Sequence, residues 1–268
     1  MRNIRGKEAG LTLIELMIVL VLASVVTASI YATFIAQQKS YATQTMVSDM
    51  QQNARAALTL MERDLRMAGS GVGSGFTIQD FWGNNINNAI TIVNNTSPTP
   101  DRITVVYAAQ QISTVFSVSG TNVTLVNATG FGTTNGTQYI AFETVNNVYT
   151  IQNRAGNTLT LNSEPPGHLA GIGASGARAY LVKAITYQVD GPPRNTLERV
   201  ASDQIGTPID ANDLWDDVSN YITGLQVAWL DANQTLLQIT LTGQDTDSEG
   251  ITRTREHQAV VNVRNSGL

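Results

Sequence analysis

The chain has 268 residues, a formal net charge of −5 and no cysteine. The absence of cysteine excludes disulfide bonds, thiolate metal sites and a cysteine nucleophile. Because there is no excess of basic residues to neutralise phosphates, no nucleic-acid partner is expected.

The N-terminal region combines a basic flank with a long apolar run. Arg2, Arg5 and Lys7 precede this run, and the 21 residues from Leu16 to Ala36 contain no charge, no Gly and no Pro. As a helix the run would be roughly 30 Å long, which is about the thickness of the hydrocarbon layer of a bilayer. The sequence therefore predicts a single membrane-spanning helix with a cytoplasmic N-terminus and a translocated C-terminal region.

Glu15 is the only charged residue between Glu8 and Lys39. A carboxylate at the start of a membrane segment costs about 3 kcal/mol on insertion scales and is normally retained for a function. A secretory signal peptide would have a shorter apolar region, with its cleavage site after that region. A plain signal-anchor helix explains the length and the basic flank but does not explain Glu15.

The residues around Glu15 resemble the prepilin signature of type IV pilin-like proteins. The matching residues are Gly10, Leu11, Thr12, Leu13, Ile14, Glu15, Leu16, Met17 and Ile18. The resemblance implies that a prepilin peptidase cleaves between Gly10 and Leu11 and that Leu11, where the family usually has Phe, is N-methylated. It also implies that Glu15 pairs with the free α-amine of a neighbouring subunit. Such a pair fits the energetics, because unpaired buried charges are far more costly than an ion pair.

No Gly or Pro interrupts the sequence between Leu11 and Ala68, which predicts one long helix. Its second half is amphipathic, and one face is formed by Met46, Met50, Ala54, Ala57, Met61, Leu65 and Ala68. The resemblance implies that this half packs on the protein's own β-sheet, while the first half bundles with other subunits. A coiled coil is the alternative, although the pattern is short and rich in alanine.

Seven residues from Gly69 to Gly75 include four glycines and predict the end of the helix. Strand-like segments follow, separated by turn signals at Gly120 and Gly156. They are residues 89–94, 102–107, 112–118, 123–126, 138–144, 148–152, 158–161, 179–190, 224–230, 236–242 and 258–264. The predicted fold class is α+β: a long N-terminal helix packed on an antiparallel β-sheet domain, arranged as one sheet with inserted hairpins.

The predicted organisation has four parts. They are a prepilin leader peptide at residues 1–10, a transmembrane or filament-core helix at 11–36, an amphipathic half-helix at 37–68, and a periplasmic β-rich globular domain at 69–268. The leader would be removed during maturation, so only the last three parts would belong to the mature subunit.

Further segments resemble the PilW-like group of minor pilins. They are residues 50–58, 63–69, 218–231 and 260–265. This resemblance implies a protein of the inner membrane that later joins the pilus at the cell surface and primes assembly near the filament tip. The implied partners are other minor and major pilins, the inner-membrane assembly platform, the lipid bilayer and an adhesin at the tip. Two alternatives remain: a type II secretion pseudopilin, and a signal-anchored periplasmic domain that binds a ligand such as carbohydrate or calcium.

Acidic residues near the C-terminus nearly match a calcium-binding loop. Asp245, Asp247 and Glu249 alternate along the chain, and Glu256 follows. Oxygen ligands at this spacing could converge on Ca²⁺. However, Glu249 replaces the usual Asp or Asn and the flanking segments are strand-like, so the sequence favours an acidic hairpin loop between the last two strands and predicts no cofactor.

The sequence predicts no enzyme. His168 and His257 are the only histidines, and neither lies in a recognisable catalytic motif. Gly-x-Ser-x-Gly, His-Glu-x-x-His and phosphate-loop patterns are all absent from the sequence.

Overall fold

The structure is a computed structural model of the chain. It describes residues 12–73, 76–79, 84–95, 99–131, 138–143, 145, 147–170, 176–190, 195–201, 216–247 and 249–263. These residues form one α-helix, a short 3₁₀ helix at Gly167–Leu169 and fourteen β-strands, which confirms the α+β class.

The helix, α1, is Leu13–Met67. The strands are β1 (Ile78–Gln79), β2 (Asn85–Ile86), β3 (Ile90–Val93), β4 (Arg102–Ser119), β5 (Asn122–Leu125), β6 (Gln138–Phe142), β7 (Val148–Ala155), β8 (Thr158–Leu161), β9 (Arg178–Asp190), β10 (Thr196–Ala201), β11 (Asp216–Asn220), β12 (Ile222–Trp229), β13 (Leu236–Thr246) and β14 (Thr252–Asn262).

Local signals define both ends of α1. At the N-terminus, the Oγ1 atom of Thr12 accepts a hydrogen bond from the backbone N–H of Glu15 at 3.3 Å. At the C-terminus, Gly69 adopts a φ of 70°, and its N–H donates to the carbonyl oxygen of Val106 at 2.8 Å. The helix therefore ends one residue before the predicted boundary, and its 55 residues span about 82 Å.

The two halves of α1 have opposite environments. Residues 12–42 are all exposed, whereas buried side chains begin at Met50. The predicted apolar face is confirmed: Met46 is half-buried, and the remaining members Met50, Ala54, Ala57, Met61, Leu65 and Ala68 are buried. The β-domain consequently covers only the C-terminal half of the helix.

Antiparallel ladders join the strands into three sheets. The largest has nine strands in the order β11-β10-β9-β6-β7-β8-β5-β4-β3. β12, β13 and β14 form a three-stranded sheet in that order, and β1 and β2 form a separate pair. The prediction of a single sheet was therefore wrong, because the late strands of the chain form a sheet of their own.

Part of the nine-stranded sheet closes on itself. β9 pairs with β6 along one edge and with β4 along the other. β6 pairs with β7, β7 with β8, β8 with β5 and β5 with β4, so the ladders return to the strand where they began. The result is a small six-stranded barrel without free edges. Its interior holds Val115, Val123, Leu125, Phe131, Ile140, Phe142, Tyr149, Ile151, Leu159 and Leu161.

Outside the barrel, the first part of β4 and the second part of β9 continue into an open sheet with β3, β10 and β11. α1 packs against this sheet and against the three-stranded sheet, and the largest apolar core lies among the three. Asp101 links the two sheets, because its carboxylate accepts from the N–H of Val227 at 2.9 Å and its own N–H donates to the carbonyl of Leu225 at 2.8 Å.

Several predicted strand boundaries are corrected. The segments 102–107 and 112–118 are one strand, β4, whose register shifts between Ala108 and Gln110 and again between Gln111 and Ser113. The sequence reading missed β1, β2, β10 and β11. The predicted hairpin turns at Gly120 and Gly156 are confirmed, and both glycines have a positive φ.

Candidate functional site

The predicted processing residues lie at the N-terminal end of the chain. Gly10 and Leu11 lie outside the described residues. Glu15 lies in the first turn of α1 and is exposed. An acidic side chain is favoured there because the helix dipole presents partial positive charge. Thr12 and Glu15 also have the Thr-x-x-Glu spacing of a capping box, a signal that the sequence reading missed.

The first half of α1 carries a continuous apolar surface with no partner in the described part of the chain. Its most apolar 18-residue window has a mean hydropathy of 2.5, and none of it is buried. Val19, Leu22 and Val25 have exposures of 55%, 61% and 59%. A patch of this size on a lone chain marks a protein or membrane contact. Among the described elements, α1 is the one helix long and apolar enough to cross a bilayer.

The hydroxyl groups within this apolar half are satisfied inside the helix. Ser24, Thr27, Ser29 and Thr33 each donate to a backbone carbonyl three or four residues earlier, at 2.7–2.9 Å. These hydroxyl donors therefore need no partner from lipid. Small residues of this kind also permit close approach of a second helix.

A buried carboxylate attaches α1 to the open sheet. Asp64 is only 2% exposed. Its Oδ2 atom accepts from the hydroxyl of Tyr187 at 2.7 Å and from Nε of Arg199 at 3.0 Å, and its Oδ1 atom accepts from the hydroxyl of Tyr107 at 3.3 Å. One helical side chain is thus bound to β4, β9 and β10.

The cluster changes how its members ionise. Burial, followed by the charge of Asp64, raises the pKa of Tyr107 to about 12 and raises the pKa of Tyr187 as well. Burial disfavours the charged form of Arg199, but the neighbouring carboxylate outweighs it and raises the pKa of Arg199. At neutral pH both tyrosines therefore remain hydrogen-bond donors and Arg199 remains charged.

Asp64 was not predicted as a site residue, although the sequence contains a signal for it. Asp64 follows Met61 by three residues and precedes Ala68 by four, so it lies on the apolar face of the helix. An acid in that position requires a buried partner, and the partner, Arg199, lies 135 residues away.

A second contact ties α1 to the hairpin formed by β13 and β14. The Nζ atom of Lys39 lies 2.9 Å from Oε1 of Glu249, and these side chains are 52% and 47% exposed. Further along the helix, Met50 packs so closely on β13 that a Cβ atom added to Gly243 would lie 2.8 Å from Cγ of Met50. The three-stranded sheet therefore runs alongside α1 from Lys39 onwards.

Comparison with known protein families identifies the N-terminal segment. A model described as the prokaryotic N-terminal methylation motif matches residues 5–31. The chain carries a prepilin-type methylation motif. This prepilin motif includes Gly10, Leu11 and Glu15, and it supports a type IV pilin-like or pseudopilin-like protein. No curated protein and no solved structure is significantly similar to the chain.

The prepilin motif also indicates how the protein is processed and where it is anchored. It implies processing by a peptidase and assembly with other pilins, and together with the apolar half of α1 it points to anchoring in a membrane. It points to a structural role for the protein instead of an enzymatic one.

The four candidate calcium ligands lie in or beside the β13–β14 hairpin. The loop falls between the last two strands, as the acidic-loop interpretation predicted. Glu249 pairs with Lys39, and Asp247 accepts from the N–H groups of Ile251 and Glu249 and pairs with Arg253 at 3.1 Å. The bonds from Ile251, then Glu249 and Arg253, hold the pKa of Asp247 below its usual range.

The remaining two candidates lie on opposite faces of the sheet. Asp245 is opposite Arg253 in the ladder, whereas Glu256 is opposite Thr242. Residues directly opposite each other share a face, and successive residues of a strand point to opposite faces. Because Glu256 lies three residues after Arg253, its side chain points away from the face of Asp245. Among the residues that the structure describes, no group of three acidic or histidine side chains is arranged to hold a metal ion. The absence of a cofactor at this loop stays a prediction.

The two histidines occupy separate parts of the fold. His168 is exposed in the 3₁₀ helix, and His257 lies on β14 opposite Leu241. Nε2 of His257 is buried without a hydrogen-bond partner. Neither histidine makes a side-chain hydrogen bond to another described residue, so this part of the structure offers no assembled acid–base pair.

Proposed function

We propose that the chain is a PilW-like minor pilin, made as an inner-membrane precursor and assembled through α1 into a type IV pilus. The observation that carries this proposal is the methylation motif at residues 5–31, joined directly to a helix whose apolar half is entirely exposed. A folded domain occupies the other half of the same helix, which is the arrangement a filament subunit needs.

Maturation would create the group that Glu15 requires. Cleavage of the peptide bond between Gly10 and Leu11 leaves a new α-amine on Leu11, and N-methylation of that amine keeps it basic. Glu15 lies four residues further along, about 6 Å in helical rise. In the subunit bundle, the carboxylate would pair with the amine of a neighbouring molecule. The pair would offset the cost of burying either charge alone and would fix the axial register.

Assembly would exchange lipid contacts for helix contacts. Since lipid is as apolar as the helix, the hydrophobic effect gives little net gain, and close packing must favour association. The small side chains of the Ala, Ser and Thr residues between Ala23 and Ala36 allow a second helix to approach this surface closely. The exposed apolar half of α1 therefore has the composition expected of a helix that moves from lipid into a bundle.

The assignment to minor pilins near the filament tip comes from the segments that resemble the PilW-like group. Residues 50–58 and 63–69 include Met50 and Asp64 of α1, which contact the β-domain, and Gly69, which follows the helix and donates to Val106. A type II secretion pseudopilin would share the motif and the fold. Co-purification with pilus subunits, the assembly platform and an adhesin supports the proposal, whereas co-purification with secretion pseudopilins supports that alternative.

The decisive experiment is N-terminal sequencing and intact mass of the mature protein. We expect a chain that begins with methylated Leu11. Gly10→Val should retain residues 1–10, because a side chain at this position blocks the peptidase. Mature wild-type protein that keeps residues 1–10 in every copy contradicts the proposal and matches a signal-anchored periplasmic domain.

A further inference from the structure

The β13–β14 hairpin ends beside the part of α1 where the apolar run stops. Its tip, comprising Asp247 and Glu249–Ile251, reaches the helix through the ion pair between Glu249 and Lys39. Lys39 is three residues beyond Ala36, the last residue of the charge-free run. Three residues advance a helix by about 4.5 Å, whereas the head-group layer on each side of a bilayer is roughly 5–7 Å thick. Lys39 and its partner thus fall within that layer when the run spans the membrane.

The cleft between α1 and the hairpin also indicates that the hairpin tip lies at the depth of the head-group layer. A cleft of about 680 Å³ separates them, and its wall on the helix includes Ala32, Ile35 and Ala36. These residues belong to the apolar run, while Glu249 and Arg253 line the opposite side. The hairpin tip therefore lies beside the last turn of the membrane-spanning segment.

The charge and polarity of the hairpin tip suit a lipid surface. Its two carboxylates are each paired, Glu249 with Lys39 and Asp247 with Arg253, so they present no unbalanced negative charge to anionic head groups. Ile251 is 49% exposed at the end of the loop. An exposed apolar side chain next to paired charges is favourable at a membrane interface, where one end of a group meets lipid and the other meets water.

We propose that the hairpin tip is a membrane-contacting surface, which lies in the lipid head-group layer of the anchored protein and fixes the orientation of the β-domain on the bilayer. This inference rests on the membrane anchoring within the proposed function. It adds a second contact with lipid, made by a segment whose Glu249 lies 210 residues after Lys39 in the chain. The contact is released when the subunit leaves the bilayer for the filament.

The absence of cysteine from the chain makes a direct test available. Three single-cysteine variants of the full chain, Ile251→Cys, Asn233→Cys and Val25→Cys, are labelled with an environment-sensitive fluorophore. They are then reconstituted into liposomes of phosphatidylethanolamine and phosphatidylglycerol. Asn233 is the matched control, because it is exposed in the turn at the opposite end of β13, about 35 Å from the tip. Val25 reports whether α1 itself is inserted.

We expect the emission of the label at 251 to shift to shorter wavelength and to be quenched by nitroxides attached to lipid head groups. The label at 233 should show neither effect. A shift to shorter wavelength at 25, with neither effect at 251, overturns the inference and leaves the anchored pilin intact. Quenching at both 251 and 233 also overturns it, because the domain would then lie on the membrane without using the tip. A label at 25 that stays in water refutes the anchoring itself.

Discussion

Glu15 is the residue on which assembly depends in the function that we propose. It is exposed in the single chain and lies in an otherwise apolar stretch of α1. The proposed partner belongs to another molecule, so no intramolecular contact would identify this role. The prediction therefore rests on the sequence motif at residues 5–31.

The variant Glu15→Ala tests that role. We expect normal cleavage but a loss of filaments, since removal of one member of a buried pair costs about 3–5 kcal/mol and leaves the neighbouring amine unpaired. Filament counts on cells and the mass of the processed subunit measure the two steps separately. Asp49→Ala removes an exposed acid from the same helix and should leave filament numbers unchanged. Normal filament numbers in the Glu15→Ala strain would count against the ion pair.

Asp64 makes the corresponding contact inside one molecule. Asp64→Asn keeps the shape of the side chain but removes the buried negative charge that Arg199, Tyr107 and Tyr187 share, and we expect a loss of about 3 kcal/mol in the free energy of unfolding. Denaturant unfolding of the full chain in detergent measures it. Asp49→Asn, an exposed change of the same type, should stay within about 0.5 kcal/mol of the parent. Equal stability of the two variants would show that the cluster does not hold the helix.

Alkaline pH probes the same cluster through its tyrosines. The raised pKa values of Tyr107, at about 12, and Tyr187 mean that the folded chain keeps protons that the unfolded chain releases near pH ~10. Below about pH 10 both states keep these protons, so the two tyrosines should not make the free energy of unfolding depend on pH. As the pH rises from about 10 to 12, the free energy of unfolding should fall. Tyr107→Phe should reduce that slope by up to about 1.4 kcal/mol per pH unit. Parallel pH profiles for the parent and the variant would contradict this origin.

At the scale of elements, the junction between α1 and the β-domain depends on backbone conformation as well as on packing. Gly69 ends the helix, and Gly71 follows with a φ of 68° directly against Ala108 of β4. The two glycines turn the chain out of the helix within three residues, so the β-domain begins beside the end of the shaft.

Gly71→Ala combines backbone strain with a clash, because the new Cβ atom would lie 2.7 Å from the Cβ atom of Ala108. Gly120→Ala is the matched control: its φ is 58°, but a Cβ atom there has no neighbour within 4 Å. We expect the change at Gly71 to lower the free energy of unfolding by about 1–3 kcal/mol more than the change at Gly120. Thermal unfolding followed by circular dichroism compares the two, and equal effects would show that the contact yields without cost.

The β13–β14 hairpin gives the prediction about calcium. Because Asp247 and Glu249 are already paired and Asp245 and Glu256 face apart, we expect no saturable heat when millimolar calcium is titrated into the protein. Isothermal titration calorimetry of the full chain in detergent measures it. A saturable signal that Asp247→Asn abolishes would show that the loop rearranges around the ion.

Local patterns predicted the elements better than the topology. The end of α1 just before Gly69 and the hairpins at Gly120 and Gly156 follow from short-range signals, and the structure has them. β10 was missed because Glu198 and Arg199 interrupt its apolar pattern, and the partner that makes Arg199 acceptable lies in α1. The barrel was missed because β4 and β9 pair across about 75 residues, a relation that neighbouring residues do not encode.

At the scale of the whole molecule, α1 has an exposed N-terminal part and a C-terminal part that packs on the β-domain. The half of α1 before Lys39 is exposed throughout, and the half after Met50 belongs to a core formed with two sheets. Pilin-like anchoring was predictable because it depends on 27 contiguous residues, 5–31, that match a known motif. The PilW-like assignment depends on the rest of the chain, for which the comparisons supply no relative.

The closed barrel joins the rest of the molecule mainly through β4 and β9, which continue into it from the open sheet. In the proposed filament, a pull along the fibre would enter each subunit through α1 and pass into the two sheets packed on it, so the barrel would lie outside the path of the load. Mutations that reshape the barrel surface would then accumulate without weakening the fibre. The proposed subunit would separate the part that bears tension from the part that meets the surroundings.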